Sequence, residues 1–212
     1  MKRFILLIII TLVLTGCSRI DSNIDNIVAA TMKSDINNVN TVSTSYKLYI
    51  PVGVMQLVDN EYNQKFKIKD TYVYLYVDTV SYYYKNNLNY KVLNEYDYYY
   101  KEIRNNDKEG YIGISKTVDD NYFVEIVYNY SKIEFYVNET DMPVVMANSL
   151  IIINSIEYND TLIKLEYDAL TSNGSELTYE LDKPVDSESM FSQYLQEYVA
   201  EEDVEIALPD AE

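Results

Sequence analysis

Few side chains in this chain could do chemistry, and their types and spacing limit which chemistry. Cys17 is the single cysteine among 212 residues, so the chain can form no internal disulfide. It directly follows Leu14-Thr15-Gly16, and with no second thiol in the chain it is not half of an internal redox pair. Histidine is absent, which removes His-based triads, His general bases and His-ligated zinc. The five glycines are unclustered, so there is no phosphate loop and no dinucleotide fingerprint. Ser115-Lys116, Ser131-Lys132 and Lys33-Ser34 lack the Ser-x-x-Lys spacing by which a helix presents a lysine to a serine. Asp119-Asp120-Asn121 is the densest group of oxygen ligands, without the spacing of a calcium loop, and reads as a hairpin turn. Glycoside hydrolysis needs two carboxylates at a set separation. Glu125 and Glu134, on neighbouring predicted strands, are the first pair to consider, with a solvated strand face as the simpler reading. No cofactor and no metal are expected.

The other conspicuous chemistry is phenolic. There are 24 tyrosines and no tryptophan. Tyr72, Tyr74 and Tyr76 should share one strand face, joined by Tyr122, Tyr128 and Tyr130 from a partner strand. These six residues form the candidate binding face, with Tyr82–Tyr84 and Tyr98–Tyr100 nearby. Exposed tyrosines can stack on sugars or peptides and donate hydrogen bonds from their hydroxyls. The competing explanation is that tyrosine suits half-buried strands and is enriched here, with Asn, Ile, Lys and Asp, by AT-rich codons.

The first elements to place are at the N-terminus. Lys2 and Arg3 precede an apolar run, Phe4–Leu14, broken only by Thr11. That run has the length of a signal-peptide core and falls short of the about 20 residues that span a bilayer. Leu14-Thr15-Gly16-Cys17 resembles the lipobox of bacterial lipoproteins. The resemblance implies a diacylglyceryl group on Cys17, cleavage between Gly16 and Cys17, and anchoring at the outer face of a membrane. One acyl chain anchors only marginally, whereas two or more hold stably at roughly 0.8 kcal/mol per buried CH₂.

Further along, Ile20, Ile24, Ile27, Val28 and Met32 recur at helical spacing and predict a helix over 21–37. Tyr46–Ile50 reads as a strand stopped by Pro51 and Gly53. Residues 72–78 alternate with period two, and Tyr82–Tyr84 either continues that strand or turns the chain. Tyr98–Arg104, Tyr111–Val118, Tyr122–Tyr130 and Ser131–Val137 make an antiparallel meander, with turns at Asn105–Gly110 and Asp119–Asn121. A helix starts at Thr140 or Asp141 with Pro143 in its first turn. Val144–Ile153 leaves little polar face, so the helix should be largely buried against the sheet. Thr161–Asp168 reads as another strand, Asn173-Gly174 as a loop, and Ser189–Ala200 as a short helix. The last dozen residues are acidic.

Strands in series followed by a buried helix predict an α+β fold, an antiparallel sheet packed with helices. The expected organisation is a signal peptide over 1–16, lipidated Cys17 with a tether over 17–26, one domain over 27–200, and an acidic tail over 201–212. Tyr46-Lys47-Leu48-Tyr49-Ile50-Pro51-Val52-Gly53 and Ala147–Ile156 are similar to the opening strand and late helix of the Mog1/PsbP/DcrB-like α/β/α sandwiches. That resemblance, over about residues 44–160, implies a non-catalytic accessory role and transfers no site residues. The whole chain also resembles lipoproteins of low-GC Gram-positive bacteria.

The formal charge of −17 becomes −19 once Lys2 and Arg3 are removed with the signal. Such acidity disfavours nucleic acid and anionic lipid headgroups. The expected function is a membrane-anchored accessory or binding module of the envelope, not an enzyme, with another envelope protein as partner. A carboxylate-based envelope hydrolase is the second reading. A solute-binding receptor is the third, for which the chain is short and shows no internal duplication.

Overall fold

Residue alternation builds most of the molecule, because strands with one aliphatic face must bury that face. The computed structural model describes residues 24–85, 96–173 and 184, apart from 35 and 37. A seven-stranded sheet forms from β3 (Met55–Asp59), β4 (Asn63–Ile68), β5 (Thr71–Val77), β6 (Tyr99–Asn105), β7 (Lys108–Lys116), β8 (Tyr122–Tyr128) and β9 (Ser131–Val137). Its order is β3-β4-β5-β9-β8-β7-β6 and every pairing is antiparallel. Two meanders thus meet where β5 pairs with β9. A smaller sheet holds β1 (Thr41–Val42), β2 (Tyr46–Leu48) and β10 (Glu157–Tyr158) in the order β1-β2-β10.

The helices are α1 (Ile24–Met32), α2 (Thr79–Tyr84), α3 (Met142–Asn154) and α4 (Asp160–Asn173). α3 packs on β8 and β9, and α1 packs on α3. Their contact with the sheet encloses Phe66, Val73, Leu75, Ile112, Ile114, Val124, Ile126, Ile133 and Phe135 together with Val145, Met146 and Leu150. Each such side chain contributes roughly 1.5–3 kcal/mol on burial, which suffices without a disulfide. The α+β architecture expected from the order of elements is the one found.

Several local expectations are corrected. The first helix ends at Met32, short of the expected 37, and spans Ile24–Met32 within the described residues, so it overlaps the stretch assigned to the tether. Tyr82–Tyr84 neither extends β5 nor forms a simple turn. Asp78 accepts a hydrogen bond from the Ser81 backbone N–H (2.8 Å) and starts α2, so capping outweighs the strand preference of tyrosine. Thr161–Asp168 is helical, not a strand. Asn159 accepts the Leu162 N–H (3.2 Å), and Ile163 and Tyr167, four apart, are the residues α4 buries. Asn173 of the expected Asn173-Gly174 loop lies in that helix, and Gly174 lies outside the described residues. The strands β3 and β4 were not anticipated. The predicted helix at Ser189–Ala200 and the acidic tail lie outside the described residues.

Candidate functional site

Sheet register decides which tyrosines can act together. Tyr74 lies opposite Glu134, Glu134 opposite Glu125, and Glu125 opposite Gly113. These residues, with Tyr72 and Tyr76, therefore occupy the outer face, away from α1 and α3. Tyr122 and Tyr128 alternate in phase with Val124 and Ile126 and point inward, 5% and 0% exposed. Their assignment to a shared face with Tyr72, Tyr74 and Tyr76 is corrected here. Period two fixes the alternation along each strand but not the phase between strands. Tyr130 belongs to neither face: it sits in the β8–β9 turn at φ 63°. Its ring meets Tyr82 edge-on (5.4 Å, 87°), and its carbonyl accepts the Asp78 N–H (2.8 Å).

The outer face is open on β3–β5 and again at Tyr100 of β6, which lies opposite Gly113. Tyr72 is 48% exposed, and the Lys65 ammonium stands over the rings of Tyr72 and Tyr74 at 4.7 and 4.8 Å. Lys67 approaches Tyr72 at 5.9 Å and Asp70 at 3.7 Å. Such cation–π contacts are worth about 0.5–1 kcal/mol at exposed sites. Beside them β3 pairs, among the described residues, only with β4, and its Met55, Leu57 and Val58 are exposed. A register shift between Gln56 and Val58 marks a bulge, a device that re-aims side chains at sheet edges. At the other end of β5, Tyr76 is half-buried near Tyr167 of α4. Burial first, then Asp78 and Tyr167, pushes its hydroxyl up to about 12.

The centre of the outer face is closed by its own side chains. Tyr111 donates its hydroxyl to Glu125 Oε1 (2.5 Å), and Tyr96 donates to the same oxygen. The Tyr96 ring lies flat over Gly113, where any Cβ would overlap it. Lys132 donates to Glu134 Oε1 (2.7 Å). Both glutamates are buried. Burial raises the Glu134 carboxyl above its ordinary range; Lys132 opposes this and the hydrogen-bonded Glu125 adds to it. Burial and then Glu125 push the Tyr111 hydroxyl well above its ordinary value. The glutamates touch one another, whereas glycosidases hold their acids about 5–5.5 Å or about 6.5–9.5 Å apart. As first candidates for an acid pair flanking a scissile bond, Glu125 and Glu134 are therefore corrected to a hydrogen-bonded cluster that fixes the sheet surface. No three His, Cys, Asp or Glu side chains converge as a metal-binding group among the described residues. Asn105, Asp107, Asn154 and Glu157 line part of a polar recess of about 180 Å³ at the far end of the sheet.

Comparison with known proteins places one functional residue outside the sheet. Residues 1–18 match the prokaryotic membrane lipoprotein lipid attachment site, and the one cysteine they contain is Cys17. The chain is thus a membrane-anchored lipoprotein. No curated protein matches it, nor does any solved structure. No helix among the described residues is long and apolar enough to cross a membrane.

Proposed function

We propose that this lipoprotein works at the extracytoplasmic face of the membrane as a non-catalytic accessory module that holds another envelope protein. The observation that carries the reading is the outer edge of β3, which no described strand pairs, with Met55, Leu57 and Val58 exposed, next to the Tyr72–Lys65–Tyr74 surface. An unpaired edge offers backbone hydrogen bonds to an extended segment, and neighbouring side chains select it. Lys65 and Lys67 favour a segment carrying acidic groups among apolar ones. The likeness of Tyr46–Gly53 and Ala147–Ile156 to Mog1/PsbP/DcrB-like sandwiches supports the same accessory role. Overall acidity disfavours nucleic acid as partner.

The test is site-specific photocrosslinking in cells with a benzophenone amino acid at Leu57, Tyr72 or Asn106. A discrete protein adduct from Leu57 and Tyr72, absent from Asn106 and lost on Lys65→Glu with Lys67→Glu, is the expected result. Adducts of equal yield and size from all three positions, or none from Leu57 and Tyr72, would overturn the proposal.

A further inference from the structure

We infer that one end of the large sheet, the end carrying Val52 and Val118, rests on the lipid surface to which Cys17 is tethered. The inference builds on the lipid attachment and adds an orientation to it. Its first support is the position of α1. Asp25, in the first turn of α1, accepts hydrogen bonds from Tyr99 (2.9 Å) and Lys101 (2.6 Å) at the start of β6. Asn105, the last residue of β6, donates to the Met32 carbonyl at the helix's other end (3.1 Å). α1 and β6 therefore run side by side, start beside start.

Register carries that end across the sheet. Tyr99 pairs with Ile114, Ile114 with Val124, and Val124 with Phe135. On the far half Val73 pairs with Phe66, and Phe66 with Gln56. The starts of β3, β5, β6 and β8 and the ends of β4, β7 and β9 consequently lie together, next to the start of α1. The turns at this end include Pro51–Val54, closed by the Val54 N–H on the Pro51 carbonyl (3.1 Å), and residues 117–121 between β7 and β8. Val52 is 97% exposed and Val118 93%, more than any other large apolar residue described. A valine at each of two turn tips gains nothing from the fold and would gain from an apolar phase outside it. Tyr98, also half-exposed, stands at the same end with its ring 4.7 Å from that of Tyr122, and a tyrosine suits the interfacial zone.

Tether length favours this end over the opposite one. Seven steps of chain from Cys17 to Ile24 reach at most about 25 Å when fully extended. A seven-residue strand is itself roughly 23 Å long. The near end can meet the lipid with a slack tether. The far end would need the tether stretched back along the whole sheet. The far end does expose apolar residues, Val42 of β1, Tyr84 of α2 and Leu162 and Leu165 of α4, but only a fully extended tether would bring them to the lipid.

Charge does not drive the contact. Lys67, Lys69, Lys101 and Lys116 pair with Asp70, Asp141, Asp25 and Asp120, while Asp97, Asp119 and Glu139 add negative charge. The surface thus fits a zwitterionic lipid interface reached through the anchor. In this orientation the strands stand along the membrane normal, so the β3 edge and the Tyr72–Lys65 surface face sideways.

The experiment uses the lipidated protein in phosphatidylcholine vesicles. Cys17 is the only native cysteine and its thiol is acylated, so an introduced cysteine is the single labelling site. Val52→Cys, Val118→Cys, Asn60→Cys and Asp107→Cys each receive a fluorophore, and nitroxide lipids serve as quenchers. Quenching several-fold stronger at positions 52 and 118 than at 60 and 107 is expected. Similar quenching at all positions, or stronger quenching at 60 and 107, overturns the orientation while leaving the anchor intact. Wild-type protein that fails to float with vesicles overturns the lipid attachment itself, and the orientation with it.

Discussion

Replacing the Tyr128 ring substituent separates the tyrosines that build the core from those free to bind. Tyr128 is 0% exposed on the inner face, and its hydroxyl is buried with no hydrogen-bond partner among the described residues. An unsatisfied buried hydroxyl costs about 1–3 kcal/mol. Tyr128→Phe removes that cost and little packing, so a net gain of about 1 kcal/mol is expected. For a domain of this size that corresponds to a rise in Tm of about 2–4 °C. Tyr128→Ala instead empties a core site and should lose about 3–5 kcal/mol. Tyr72→Ala, on the exposed face, should change stability by no more than about 0.5 kcal/mol. Burial, then Asp107, pushes the Tyr128 hydroxyl up to about 12. A raised pKa in the folded state means stability is kept below the ordinary tyrosine range, near pH 10, and lost as pH climbs through 12. The advantage of Tyr128→Phe should therefore be constant at neutral pH and widen above pH 10. Urea unfolding followed by circular dichroism measures all three variants, and tyrosine emission serves as a second probe because tryptophan is absent. A Phe variant less stable than wild type by a kilocalorie or more would show that the hydroxyl has a partner and refute the reasoning.

The other predictions are briefer. Cys17→Ala should move the protein from the membrane fraction to the soluble fraction, as read by detergent phase partition. Glu134→Gln should stabilise the fold at neutral pH. Its carboxyl is raised above 4.5, so wild-type stability is fully present below that value and falls as pH rises through the folded-state value; the difference between variant and wild type should shrink towards pH 4 in thermal melts. Gly113→Ala should displace the Tyr96 ring and cost roughly 1–3 kcal/mol. Adding Tyr96→Ala should recover part of that loss, and a double-mutant cycle showing strict additivity would contradict the packing of Tyr96 on Gly113.

Much of the fold was legible where two independent signals agreed. Ser131–Val137 was read as β9 to the residue because period-two alternation and bounding turns coincide. α3 was legible because Pro143 stands in its first turn and Val144–Ile153 leaves little polar face, which only a covered helix tolerates. Where one signal stood alone, it misled. Thr161–Asp168 carries apolar residues at both strand and helix spacing, and Asn159 resolves the ambiguity through a hydrogen bond to Leu162 N–H. β3 and β4 went unread because Gln64, buried against the Tyr46 hydroxyl (2.8 Å), places a polar residue among the inward-facing positions.

The candidate site fails and survives for one physical reason. A tyrosine is amphipathic, so alternation cannot say which face it occupies: in β5 the tyrosines alternate against Val73, Leu75 and Val77 and face out. In β8 Tyr122 and Tyr128 alternate with Phe123, Glu125 and Val127, and the sheet must turn one set inward. Val124 and Ile126 share the parity of Tyr122 and Tyr128, and α3 covers that side, so the tyrosines go in and Glu125 goes out. Once there, a buried carboxylate requires donors, and Tyr111, Tyr96 and Lys132 supply them around the Glu125–Glu134 pair. That closure separates the open aromatic surface of β3–β5 from Tyr100, exposed on the same face at β6. The residues left to select a partner are then those of an edge strand and its neighbours, Leu57, Val58, Lys65 and Tyr72, rather than a broad tyrosine platform.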